Sequence, residues 1–105
     1  MKDNVIKDRS FELAVEIVFI YQYLTSEKRE YVLSKQVLRS GTSVGANISE
    51  GAAAQSKKEF CNRLSIAYKE ARETEFWLKL HCLHLYFQFL SFPSAIHSTA
   101  VVSRF

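Results

Sequence analysis

The sequence predicts an all-α domain, and three observations carry that reading. Three glycines and one proline in 105 residues are too few for the many turns of a β-sandwich. Apolar residues recur with helical spacing in three successive segments separated by short polar stretches. One segment opens on a capping signal, with Ser56 and Glu59 three apart and Phe60 directly after them. At this length, with 48% apolar residues, the chain supports one domain around one core and is too apolar to stay disordered.

Ser10 is a candidate N-cap for a first helix over 11–24. Phe11, Ala14, Val18 and Tyr21 share one side, and Val15, Ile17, Ile20 and Leu24 widen it. Residues 25–30 are polar throughout and read as a connection. A second helix is expected over 31–53, with Leu33, Val37, Gly41, Val44, Ile48 and Ala52 forming a stripe. Gly41 and Gly45 each cost about 1 kcal/mol against alanine inside a helix, which points to close approach of a neighbouring helix; a break at Gly41 is the competing reading. The third helix is expected over 57–80, with Phe60, Leu64, Ala67, Ala71, Thr74 and Leu78 as a heptad-like seam and charges on the opposite side.

The charge distribution is uneven. Residues 1–80 hold 24 of the 25 charged side chains and a net charge of +2, whereas 81–105 hold only Arg104. The three histidines and Pro93 also fall after residue 80. Residues 81–105 therefore read as an atypical apolar tail, with Pro93 ending or kinking any helix there. A shift this abrupt is what out-of-frame translation from about Leu80–His81 produces, and the other reading frames of the gene test that idea.

Catalytic signatures are missing from the sequence. It has no Gly-x-Ser-x-Gly elbow and no glycine-rich phosphate loop, so no enzyme, catalytic residue or cofactor is expected. His81, Cys82 and His84 cluster, but on a continuous helix Cys61 lies about 30 Å from Cys82, so no metal site is expected. Acidic residues interrupt the apolar stretches of the N-terminus, unlike a signal peptide, and polar residues interrupt the uncharged run near the C-terminus. The expectation is a cytoplasmic protein with reduced thiols and no membrane span.

Three groups of residues are candidates for interaction. Gln36, Arg39, Ser43, Asn47 and Glu50 share one face of the second helix about 120° from its apolar stripe, flanked by Ser40 and Thr42. Short hydroxyls and an amide suit a hydrogen-bonded contact with another helix or subunit; an ordinary solvated face is the alternative. Lys57, Lys58 and Arg63 sit near the start of the third helix, whose free N–H groups favour anions. Lys28, Arg29 and Lys35 surround the first connection. No sequence-reading motif accompanies them, so any contact with RNA or DNA would be directed at the backbone and sensitive to salt.

The run Gln36–Gly51, with Arg39-Ser40-Gly-Thr42-Ser43 and Gly45-Ala-Asn47-Ile-Ser-Glu50-Gly51, resembles the signature of bacterial four-helix bundle proteins of the 23S rRNA intervening-sequence type. Ser56–Phe60 and Ile66–Leu78 are similar to that family's third helix, and Ser10–Ala14 to its first. The resemblance covers about residues 5–80; Gly41 departs from it, where a larger residue, often alanine, is expected. It implies an antiparallel up-down four-helix bundle, with the fourth helix atypical or missing here, that assembles as a homo-oligomer, as a pentameric ring. The accessory protein of diversity-generating retroelements is related to this fold and binds nucleic acid and a protein partner. The expected function is therefore a non-enzymatic, oligomeric, nucleic-acid-associated bundle. The alternative is a purely structural oligomer or an adaptor for a protein partner.

Overall fold

The computed structural model describes residues 2–91, with side chains from residue 5 onward apart from Gln88, Phe89 and Ser91. Those residues form three helices, α1 (Lys2–Ser26), α2 (Leu33–Ala52) and α3 (Lys57–Ser91), and no strand. α2 is the central element. α1 packs on one side of it and α3 on another, and the backbones of α1 and α3 do not approach one another.

The packing follows a seven-residue rhythm. Ser10, Ile17 and Leu24 are buried on α1; Val37, Val44 and Gly51 on α2; Ala67, Thr74 and His81 on α3. That spacing keeps one narrow seam of each helix facing its neighbour. Antiparallel pairing follows from two close approaches of α1 to α2. A Cβ on Gly41 would stand 2.6 Å from Cγ1 of Ile17, and one on Gly45 would stand 3.0 Å from the Ser10 carbonyl oxygen. Gly41 thus lies inside the helix, which removes the competing break, and Ile17 occupies the space its side chain would take.

The helix limits differ from those expected in three ways. α1 starts at Lys2 rather than at residue 11. Ser10 is no cap; it is buried mid-helix and its hydroxyl donates to the Lys7 carbonyl at 2.9 Å. α2 is shorter at both ends than 31–53. α3 does not stop at Leu80 but runs on to Ser91, so residues 81–91 of the expected atypical apolar tail continue the third helix. The expectations for residues 92–105 lie outside the described residues.

Local chemistry fixes the two connections. Arg29 adopts a left-handed backbone, φ 53°, and this lets the Glu30 N–H reach back to the Leu24 carbonyl at 2.8 Å. At the second connection the Ser56 half of the capping box forms as the spacing predicts, while Glu59 reaches past Ser56 to the N–H of the residue before it. Ser56 Oγ accepts from the Glu59 N–H at 3.1 Å, and Glu59 Oε2 accepts from the Gln55 N–H at 3.2 Å.

Candidate functional site

The polar face of α2 lies along the α2–α3 seam. Arg39 pairs with Glu70 at 3.3 Å and also with Glu73, which accepts a further bond from Trp77 Nε1 at 2.9 Å. Gln36 Oε1 accepts from Arg39 at 3.5 Å. One turn on, Thr74 Oγ1 donates to Ser40 Oγ at 2.9 Å, and Ser40 in turn donates to the Gln36 carbonyl at 2.8 Å. Both hydroxyls are buried, so this pair satisfies groups that would be costly to leave unpaired. Farther along, Arg63 bridges Asn47 Oδ1 at 3.2 Å and Glu50 at 2.9 Å. Asn47 Nδ2 donates to the carbonyl of Ser43, which is itself half-buried. Arg39 is half exposed, so solvent screens its ion pairs and their contribution is small.

The basic candidates separate into two groups at opposite ends of the bundle. Lys28, Arg29 and Lys35 are exposed around the α1–α2 connection, with Lys28 Nζ 5.9 Å from the centre of the Tyr23 ring. Lys57 and Lys58 are exposed at the start of α3, about 30 Å away along the 20 residues of α2. The third member of that second group, Arg63, is engaged with Asn47 and Glu50 rather than standing free. The structure therefore brings Lys57 and Lys58 together but does not merge the two groups into one patch.

Glu30, which the sequence reading did not single out, and His81, which it weighed only as a metal ligand, organise the other end. Glu30 accepts from the N–H groups of Val32 (3.1 Å), Leu33 (2.9 Å) and Ser34 (2.7 Å), while its carbonyl accepts from Ser34 Oγ at 2.7 Å. It thereby satisfies the otherwise free donors of the first turn of α2. Burial pushes the Glu30 carboxyl up, but the three backbone bonds, with His81 alongside, outweigh burial and hold it below its ordinary value. His81 is buried with Nε2 3.7 Å from Glu30 Oε1, and neither ring nitrogen has a hydrogen-bond partner among the described residues. The signal for His81 was its position seven residues after Thr74 and fourteen after Ala67. Cys61 and Cys82 are free and exposed on the same helix, 21 residues apart.

The remaining surface feature is apolar. On α1, Phe11 is 70% exposed and Phe19 64%, with Val15, Val18 and Tyr23 also exposed. Buried Ser10, Ile17 and Leu24 point at α2 while Phe19 and Tyr23 point away, so α1 is apolar around most of its circumference. A helix of that kind is normally covered on more than one side.

The family model of the 23S rRNA-intervening sequence protein matches residues 2–101. The chain belongs to the 23S rRNA-intervening sequence protein family. The match corrects the expected limit of the resemblance near residue 80, since it continues through α3 and beyond it. A similar solved structure is a protein of unknown function from the S23 ribosomal protein family of Bacteroides thetaiotaomicron. It is 58% identical over 82% of this chain and 77% of that chain, with a TM-score of 0.79. No functionally curated protein matches this member of the family. Among the described residues, no helix is long and apolar enough to cross a membrane.

Proposed function

We propose that this protein is a non-enzymatic, cytoplasmic homo-oligomer of helical bundles that associates with RNA or DNA through phosphate contacts. The observation that carries the oligomer is α1, whose Phe11, Val15, Phe19 and Tyr23 are left uncovered by α2 and α3. Each step of four residues turns 40° around the helix, so the four side chains form a slowly winding apolar strip. A strip of this length suits the flank of an adjoining subunit. The family resemblance favours a pentameric ring as its specific form.

The nucleic-acid part rests on Lys28, Arg29 and Lys35 at one end and Lys57 and Lys58 at the other. In a ring, each group repeats around one rim, which multiplies a contact too weak for a single chain. Binding to a 23S rRNA fragment and to duplex DNA across a salt series tests it. The expected result is a linear fall of log affinity with log salt, and a shallower slope for Lys57→Ala/Lys58→Ala. Affinity independent of salt, or no binding, leaves the second reading, a structural oligomer or protein adaptor. One observation favours that reading: Arg63 is already held by Asn47 and Glu50 and is not available to phosphate.

A further inference from the structure

The charged side chains of α3 are sorted by sign around the helix. Lys57, Lys58, Lys69 and Lys79 lie within about 60° of Arg72 around the axis, and all five are exposed. From Lys57 to Lys79 they extend about 33 Å along it. Glu75 is the one acidic residue of α3 on that side. The other three turn away and are engaged: Glu59 accepts from the Gln55 N–H, and Glu70 and Glu73 pair with Arg39 on α2. An ordinary solvated face interleaves the two signs. Here the seam with α2 takes up the acids and leaves the cations outside.

Two aromatic rings sit among those cations. Tyr68 is 62% exposed and Phe76 58%, four residues before and after Arg72 and about 12 Å apart along the axis. Neither ring is loose. Arg72 donates to the Tyr68 hydroxyl at 3.2 Å, and Phe76 packs edge-on against Trp77 with ring centres 5.1 Å apart. Resting on the phosphate contacts proposed above, we propose that this outer face of α3 binds a single-stranded polynucleotide. Its phosphates lie on the cationic side chains, and nucleobases stack on Tyr68 and Phe76.

Charge selects a polyanion, and the rings select among polyanions. Every nucleobase has a face that stacks on an aromatic side chain, whereas a duplex keeps its bases stacked on one another and an acidic peptide has none. Because both rings are already tethered, little side-chain freedom is lost when they are covered.

Fluorescence anisotropy of the full chain with labelled oligothymidylate, and with a DNA duplex of equal length, provides the test. At equal salt the single strand should bind about tenfold more tightly than the duplex. Tyr68→Ala/Phe76→Ala should weaken strand binding about tenfold or more, with duplex affinity, salt slope and helical content unchanged. Tyr68→Phe/Phe76→Tyr, which keeps both rings, should retain the affinity. Lys69→Ala/Arg72→Ala should make the slope of log affinity against log salt shallower by about 1.4, the share of two single-strand phosphates. Equal affinity for strand and duplex, or strand binding that Tyr68→Ala/Phe76→Ala leaves unmoved, would overturn this surface while the phosphate contacts at the bundle ends still stand. No binding of either probe would overturn both. Displacement of the strand by polyglutamate of equal charge would assign the face to an acidic protein and equally overturn it.

Discussion

Glu30 and Gly41 are single residues on which the packing turns. Glu30 binds the first turn of α2 from outside the helix, through both carboxylate oxygens. Replacing it with alanine should cost about 1–2 kcal/mol in chemical denaturation near neutral pH. Its carboxyl sits below the ordinary glutamate value when folded, so its contribution is complete above that ordinary value and is lost as pH falls through the lower folded value. The gap between the native protein and Glu30→Ala should therefore be constant from pH 7 to 5 and close in stronger acid. Gly41 poses the opposite problem, of space. Gly41→Ala gains about 1 kcal/mol of helix propensity, but its Cβ would meet three carbons of the fully buried Ile17 at 2.6–2.8 Å. Overpacking of that kind costs about 1–3 kcal/mol. The single substitution should destabilise the protein, and in an Ile17→Ala background the same substitution should become neutral or stabilising.

Between elements, the α2–α3 seam combines a buried hydroxyl pair with an exposed ion-pair network, and the two should respond differently to mutation. Ser40→Val exchanges the paired hydroxyl for a methyl and forces one further methyl into a site with no exposed surface, and should cost about 1–3 kcal/mol. Arg39→Ala removes two ion pairs that are partly open to solvent and should cost less than about 1 kcal/mol. Thermal or chemical denaturation of the two variants checks the order. The elements themselves were legible in the sequence to unequal degrees. The Ser56–Glu59 capping box and the close approach at Gly41 were readable because each rests on local spacing. The start of α1 was misplaced because Ser10 looks like a cap, whereas its hydroxyl turns back to Lys7 within a helix already under way. The last eleven residues of α3 were hidden for a different reason: a run without charges shows no solvent face, although the seven-residue step from Ala67 to Thr74 to His81 continues through it. Glu30 was missed because glutamate seldom caps from this distance, and its role depends on the left-handed turn at Arg29.

For the whole molecule, the buried apolar seam is thin. Ile17, Leu24, Val37, Val44 and Ala67 are its buried hydrophobic members among the described residues, while Phe11, Phe19, Tyr68 and Phe76 are each more than half exposed. Burying one large side chain contributes about 1.5–3 kcal/mol, so more apolar free energy is held in reserve on the surface than a self-contained domain needs to leave there. Association is the economical way to recover it, and α1 is the helix with the most to cover. Phe11→Lys/Phe19→Lys should then dissociate the assembly while α2 and α3 keep their pairing, because neither side chain reaches the α2–α3 seam.

Light scattering on the native protein across a concentration series tests the central claim most directly. The mass should be a fixed multiple of 12.1 kDa, five chains for the specific ring proposed, and Phe11→Lys/Phe19→Lys should lower it. A native protein of 12.1 kDa at every concentration would contradict the account.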